Sequence, residues 1–286
     1  MRQTAFASMD HITVRVPATS ANLGPGFDCL GVALSLYNQV SVRRGTPSRH
    51  DPMGMEAAAA YFRSSGKAPF DFDWSIGGEI PRSRGLGSSV AVRLGLLHGL
   101  NELDGKPLAS ETLYRLCAEL EGHPDNAAPA AFGGFTAARP DYVYFRCEIA
   151  PEIRFVLLIP DAELETGASR AQLPTNIARM DAAQSTAHAA MITAAFVSQR
   201  YQLLRDSFRD WLHEPYREQL NPHLRPAVNA AVAAGALGGY LSGSGSAVCG
   251  VTLDDPDRVA HAMQSVLPAA RVLVLAADNR GVSIAD

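Results

Sequence analysis

A glycine- and serine-rich segment, RGLGSS at residues 84–89, restricts what this chain can fold into. It separates a short alternating segment from a long apolar one, so it predicts a turn that opens a helix. Gly85 and Gly87 allow the backbone to approach another group closely. A helix beginning at Ser88 and Ser89 points free N–H groups and the positive end of its dipole at one spot. No lysine follows Gly87, so this is not a Walker A loop. These residues alone leave open a phosphate cradle or an ordinary capped helix.

Hydrophobic periodicity predicts strands and helices that alternate irregularly, which favours an α+β fold over a doubly wound parallel sheet. The character of the chain changes near residues 150–160. One helix is predicted to begin at an N-cap, Ser110, and to end at a C-cap, Gly122. The predicted strands cover 11–18, 37–44, 71–78, 142–149, 154–160 and 270–277, and the predicted helices cover 53–66, 87–103, 110–122, 180–211, 224–235 and 255–267.

Composition restricts the possible partners and the compartment. Charged residues make up 19% of the 286 residues and the net charge is -4, which argues against non-specific binding to nucleic acid because that requires a basic face. No apolar run is long enough to span a membrane, and residues 1–16 contain no secretory core. The four cysteines contain no C-x-x-C pair. Reduced thiols in the cytoplasm fit this pattern best.

Three further segments carry candidate binding chemistry. The segment PATSANLGPGFD (17–28) is glycine-rich, EGHPDN (121–126) crowds polar groups at a helix end, and LSGSGS (241–246) is a second small-residue loop. Each has an ordinary structural reading as a turn or a polar helix end, so each is modest evidence of function by itself.

The order of these four motifs resembles the GHMP small-molecule kinases, and the resemblance spans residues 17–246. Within that superfamily the chain is most similar to the homoserine kinases. Two segments that are less general to the superfamily, ETGASRAQLP (165–174) and LHEPYR (212–217), carry this narrower similarity.

The resemblance implies a two-domain α+β architecture with an active site in the cleft between the domains. An N-terminal nucleotide-binding domain would cover residues 1–155, and a ferredoxin-like C-terminal domain would cover residues 156–286. The implied reaction phosphorylates the γ-hydroxyl of L-homoserine with ATP and Mg²⁺, as in threonine biosynthesis. The family expectation is a homodimer.

The resemblance also implies which residues bind the nucleotide and the metal ion. Ser88 or Ser89 would lie near Mg²⁺, with Glu119 as the magnesium carboxylate. Magnesium prefers oxygen ligands and keeps several waters, so one hydroxyl and one carboxylate suffice. The residues that would surround the ATP phosphates are Arg84, Gly85, Leu86, Gly87, Ser88 and Ser89.

The substrate in this resemblance is a zwitterion, whose ammonium group needs a carboxylate and whose carboxylate needs a guanidinium. By resemblance, Asp28 would bind the ammonium group, and Arg170 and Arg217 would bind the carboxylate. The hydroxyl end would be lined by Asn22, His123 and Asn126.

Asp125, Asn126 and Thr166 form the implied catalytic set. Asp125 is the nearest carboxylate in the sequence that could act as a base, whereas the amide of Asn126 does not take a proton near neutral pH. Phosphoryl transfer through a loose transition state also leaves open a reaction without a dedicated base.

Some positions depart from the family pattern. Val90 and Arg93 stand where alanines are usual, and Ser246 stands where a proline is common. Two alternative functions stay open. One is a GHMP kinase acting on another alcohol, such as mevalonate or a sugar. The other is a member that binds an amino acid without transferring phosphate.

Overall fold

The computed structural model describes residues 10–48 and 51–285. Residues 1–9, where the sequence predicts no secretory signal, lie outside the described part. No helix within the described ranges is both long and apolar enough to cross a membrane.

Within the part of the chain that the structure describes, the first sheet has six antiparallel strands. Its longest pair, β1 and β2, alternates buried and more exposed residues over the half of each strand that lies away from the cleft, as the period of two requires, and both faces are buried in the other half. The order is β10-β1-β2-β4-β5, with β3 also paired to β2. The strands are β1 (His11–Ala21), β2 (Leu30–Arg44), β3 (Phe72–Gly78), β4 (Phe135–Ala138), β5 (Tyr144–Cys147) and β10 (Ser283–Ile284).

Four helices cover this sheet: α1 (Pro52–Ser65), α2 (Ser88–Leu103), α3 (Ser110–Glu121) and α4 (Ala127–Phe132). Helix α2 lies closest to the sheet because a Cβ at Gly95 or Gly99 would come within 2.5 or 2.4 Å of valine side chains on β2. The predicted N-cap of α3 is wrong by one residue. Ala109 occupies that position without a side-chain hydrogen bond, and Ser110 is already helical.

The second sheet is also antiparallel, in the order β7-β8-β6-β9. Two helices join its strands in the sequence β-α-β-β-α-β, which is the ferredoxin-like arrangement. The α+β prediction and the ferredoxin-like second half are thereby confirmed. The elements are β6 (Arg154–Ile159), α8 (Leu224–Ala233), β7 (Gly238–Leu241), β8 (Val248–Thr252), α9 (Pro256–Val266) and β9 (Arg271–Leu275).

The chain returns to the first sheet at its end, since β10 pairs with β1. The predicted domain boundary at residues 155 and 156 falls inside β6, and it stays a prediction.

A helical excursion separates β6 from α8. It contains α5 (Thr166–Arg170), α6 (Arg179–Ser198), a 3-10 turn (Tyr201–Leu204) and α7 (Glu214–Arg217). The prediction of one helix over 180–211 is wrong in its second half. The backbone turns left-handed at Gln199, and the 3-10 turn that follows buries its first and last side chains in the core.

Loops from both halves converge beside the start of α2. Thr19 N–H donates to the carbonyl of Leu86 (3.3 Å), and Gly243 N–H donates to the carbonyl of Ala21 (3.2 Å). Ala247 N–H donates to the carbonyl of Arg84 (3.2 Å). These backbone contacts bring three of the four predicted motifs together, and the hydrogen bond from Thr19 Oγ1 to Asn126 Oδ1 (2.7 Å) adds the fourth.

Candidate active site

The cleft has a volume of about 280 Å³ and lies between the first sheet and the loop that joins β7 to β8. It is lined by residues of all four motifs together with Thr166, Arg170 and Arg217 from the helical excursion. Thr166 is the first residue of α5, and its hydroxyl lies 3.4 Å from that of Ser244. Residues outside the predicted motifs line the cleft as well, among them Asp51, Met53, Trp74 and Ile76.

The glycine loop requires glycine at two positions. Gly85 and Gly87 have φ of +73° and +70°, and a Cβ would lie 2.0 Å from the carbonyl oxygen of Ser242 or 2.1 Å from Oγ1 of Thr19. Helix α2 starts directly after this loop without a side-chain cap. Its first-turn N–H groups are thus left for an anion in the cleft.

Glu121, and not Glu119, carries its carboxylate to this loop. Ser89 Oγ donates to Glu121 Oε2 (2.8 Å), while the other carboxylate oxygen lies 2.5 Å from Nη1 of Arg93. Glu119 is exposed and does not line the cleft. Residues two apart on a helix point about 200° apart, which separates the two glutamates. A sequence signal did exist, because Glu121 follows the buried Cys117 by one helical turn.

The guanidinium of Arg84 donates its hydrogen bonds to carbonyl groups of the protein. Its Nε donates to the carbonyl of Pro160 (2.7 Å), its Nη1 to the carbonyl of Arg82 (2.9 Å), and its Nη2 to the carbonyl of Asp161. This guanidinium connects the glycine loop to the segment after β6. It fixes the loop's position. The sequence predicts that Arg84 contacts the ATP phosphates, but its N–H groups are directed at these carbonyl oxygens.

Asp28 and Arg170 form a two-pronged ion pair across the cleft, with Nη2–Oδ1 at 2.6 Å and Nη1–Oδ2 at 3.0 Å. Burial disfavours the charge of Arg170, but the hydrogen bond and charge of Asp28 outweigh it and raise the pKa of Arg170. The two predicted zwitterion-binding groups therefore neutralise each other here. Asn22 supports Asp28, since its Oδ1 accepts from the Asp28 N–H (3.0 Å) and its Nδ2 donates to the carbonyl of Gly243 (2.9 Å).

Arg217 lies in a different environment, buried with 2% of its surface exposed. Its Nη1 donates to Nδ1 of His213 (3.0 Å) and to the carbonyl of Gly243 (3.1 Å), whereas its Nε finds no hydrogen-bond partner among the described residues. No carboxylate in the described ranges forms a salt bridge with it. Burial, with the charge of nearby Arg170, lowers the pKa of Arg217 to about 10. A buried guanidinium without a direct salt bridge thus faces the cleft, with the charges of Asp28, Asp125 and Asp210 near enough to act on it.

His123, Asp125 and Asn126 form a hydrogen-bonded group beside Asp28. His123 Nδ1 lies 2.5 Å from Asp125 Oδ1, which also accepts from the Asn126 N–H (2.8 Å). Thr19 Oγ1 donates to Asn126 Oδ1 (2.7 Å). Burial opposes protonation of His123, but the hydrogen bond and charge of Asp125 outweigh it and raise the pKa of His123. The ligand atoms of Asp28, His123 and Asp125 all lie within 4.8 Å of one another.

Comparisons with known proteins agree with this geometry. Residues 54–134 match the GHMP kinases N terminal domain, and residues 192–269 match the GHMP kinases C terminal domain. The homoserine kinase of Clostridium botulinum is 37% identical, over 94% of this chain and 97% of that relative. The homoserine kinase of Aliarcobacter butzleri is 36% identical, over 95% of this chain and 99% of that relative.

Solved structures agree as well. The homoserine kinase of Cytophaga hutchinsonii is 25% identical, with a TM-score of 0.90 over 99% of this chain and 100% of that chain. The mevalonate kinase of Methanococcus jannaschii shares the fold alone, at 12% identity and a TM-score of 0.70, over 95% of this chain and 99% of that chain. The chain therefore belongs to the GHMP kinases and, within them, to the homoserine kinases.

Proposed function

We propose that this chain is an ATP:L-homoserine O-phosphotransferase. It transfers the γ-phosphoryl group of ATP to the γ-hydroxyl of L-homoserine and releases ADP and O-phospho-L-homoserine, a step of threonine biosynthesis. The observation that carries this proposal is the buried guanidinium of Arg217, which has no direct salt bridge within the described residues and lies in the same cleft as the Asp28–Arg170 pair. Such a site favours a small ligand that carries both an ammonium group and a carboxylate.

The nucleotide end of the proposal rests on the glycine loop. The loop residues Gly85–Ser89 and the first turn of α2 supply backbone N–H groups for the ATP phosphates. The oxygens of Ser89 and Glu121 are 2.8 Å apart and suit a hard cation such as Mg²⁺, with Ser88 also lining the cleft. When bound, Mg²⁺ neutralises phosphate charge.

We assign the remaining residues of the cleft to the groups of the substrate. The substrate carboxylate binds Arg217 and Arg170, and its ammonium group binds Asp28, so the substrate takes over both partners of the ion pair. His123 and Asn126 then orient the γ-hydroxyl. In the transfer, the hydroxyl oxygen forms a bond to the γ-phosphorus while the bond from that phosphorus to the ADP oxygen breaks. The hydroxyl proton passes to Asp125 or to water, because a loose transition state requires little deprotonation in advance.

The same reasoning weighs against the two alternatives. Mevalonate and sugars lack an ammonium group, so Asp28 would have no partner of opposite charge once such a ligand displaced Arg170. A non-catalytic amino-acid binder has no need of the tightly packed glycine loop and its adjacent hydroxyl and carboxylate.

We further propose that the enzyme is a cytoplasmic homodimer with a domain division near residue 155. The four free thiols support a reducing compartment. The two separate sheets support the domain division.

A panel of alcohols tests the substrate assignment. We expect ADP release with L-homoserine, and rates about 10- to 150-fold lower for 4-hydroxybutyrate and 3-aminopropan-1-ol, since each lacks a charged group whose charge-assisted hydrogen bond is worth about 1.5–3 kcal/mol. Mevalonate and galactose should give only background. Faster turnover of any of these four than of L-homoserine would contradict the proposal.

The metal assignment can be tested at the two glutamates of α3. Glu121→Gln should raise the Mg²⁺ concentration for half-maximal activity at least about tenfold, because an amide is a weaker ligand than a carboxylate. Glu119→Gln should change it less than about twofold. Mn²⁺ binding measured by electron paramagnetic resonance provides a readout that does not depend on turnover. The opposite ranking of the two variants would restore Glu119 as the ligand.

A further inference from the structure

His213, which the reaction does not use directly, accepts one of the two hydrogen bonds that Nη1 of Arg217 donates, and the carbonyl of Gly243 accepts the other. Nη1 of Arg217 lies 3.0 Å from His213 Nδ1. A guanidinium has donors only, so Nδ1 must hold a lone pair and accept. The imidazole is therefore an acceptor towards the arginine.

The other ring nitrogen fixes the tautomer. Nε2 of His213 lies 2.8 Å from the carbonyl oxygen of Gly24, which accepts only, so Nε2 carries the proton. The ring is fully buried, and burial together with the charge of Arg217 lowers the pKa of His213 to about 4 despite the opposing charge of Asp210. Both contacts and the burial agree on one species, the neutral Nε2–H imidazole.

Contacts fix both the ring and the backbone of His213. Phe27 stacks on the ring with ring centroids 5.2 Å apart, and Phe27 and Gly24 belong to the loop that ends at Asp28. At the backbone, Asp210 accepts hydrogen bonds from the N–H groups of His213 and Glu214, each at 2.8 Å, and so fixes the start of α7. His213 thus joins the loop that carries Asp28 to the helix that carries Arg217.

We propose that His213 is a positioning residue that directs the guanidinium of Arg217 towards the substrate carboxylate. This inference rests on the proposed function, in which Arg217 binds that carboxylate. A neutral acceptor suits the task better than an aspartate or glutamate. A carboxylate would neutralise Arg217 and compete with the substrate, whereas the imidazole holds one N–H group and leaves the full positive charge for the ligand.

Two substitutions separate positioning from simple packing. His213→Gln keeps a donor near the Gly24 carbonyl but places a methylene group near the Nδ1 position. His213→Asn places an amide oxygen near that position and loses the Gly24 contact. We expect His213→Gln to raise the KM for L-homoserine about 10- to 100-fold, the effect of losing one hydrogen bond to a charged group. His213→Asn should recover at least about fivefold of that loss, and the KM for ATP should change less than about threefold in both.

Thermal unfolding and the tautomer complete the test. Both variants disturb a buried ring and should lower Tm. A fall in Tm without a change in KM is therefore what a purely structural role would give. Equal KM increases for L-homoserine in the two variants, or a parallel rise in the KM for ATP, would overturn the inference. If the variants do not fold, ¹⁵N spectra of the histidine-labelled wild-type enzyme at pH 7.5 decide it: the neutral Nε2–H form supports the inference, and any other form refutes it.

Arg217→Met, measured in the same assays, distinguishes failure of the proposed carboxylate site from failure of the role proposed for His213. A normal KM for L-homoserine in Arg217→Met would refute the assignment of the carboxylate site, and the role of His213 with it. A raised KM in Arg217→Met with a normal KM in His213→Gln would refute the role of His213 alone.

Discussion

Replacing Arg217 with methionine should raise the KM for L-homoserine about 100-fold and leave the KM for ATP within about threefold. The substitution removes the buried cation that we assign to the substrate carboxylate, and losing one partner of such a pair costs about 3 kcal/mol. Methionine fills much of the space of the arginine stem. Because the arginine is buried without a carboxylate partner, its removal should leave Tm unchanged or raise it.

Initial rates over a range of L-homoserine concentrations, together with thermal unfolding, measure this effect. Arg115→Met is the matched control, since Arg115 is exposed on α3 and does not line the cleft. A rise in the KM for ATP equal to that for L-homoserine, or a large loss of Tm, would mean that Arg217 holds the cleft together and does not recognise the substrate.

Replacing Gly85 with alanine should lower kcat/KM for ATP at least about 100-fold. The added Cβ would lie 2.0 Å from the backbone oxygen of Ser242, which cannot move without shifting the loop between β7 and β8. A displacement of about 1 Å in a catalytic loop is sufficient for a loss of this size. Left-handed backbone strain adds about 1–2 kcal/mol against folding.

Gly105→Ala controls for the strain alone, because Gly105 has φ of +82° but no atom lies within 4 Å of the place that an added Cβ would take. Both variants should lose stability through strain, and Gly85→Ala should lose more. ATP-analogue binding by calorimetry together with Tm measures the difference. Equal losses of ATP affinity in the two variants would refute a specific role for the glycine loop.

Local sequence signals predicted much of the fold because they act within one turn of the chain. Gly66 and Gly122 end helices in the left-handed conformation, as glycine at such positions predicts. The long helix predicted over 180–211 ends before Gln199 because, at this point, distant contacts outweigh the local signal. Alanine-rich residues favour a helix, but burial of Tyr201 and Leu204 in the core overrides that preference.

The sequence predicted the motifs that contribute to the site but not which of their side chains bond to each other. The sequence assigned Arg170 and Arg217 the same task, yet Arg170 is neutralised by Asp28, which is 142 positions away, and Arg217 is bonded to an imidazole. A contact across 142 positions leaves no periodic signal, whereas His213 and Arg217 are only four positions apart. The misplaced Glu119 is different, since the spacing of Leu113, Cys117 and Glu121 along one helix face already indicated Glu121.

Phosphorus-31 NMR of the reaction of this protein with Mg-ATP and L-homoserine tests the central claim most directly. We predict a new phosphomonoester signal coupled to the protons of one methylene group, growing in equal amount with ADP. Inorganic phosphate with ADP and no phosphomonoester, or no consumption of ATP, would contradict the assignment of this chain as a kinase of the homoserine hydroxyl.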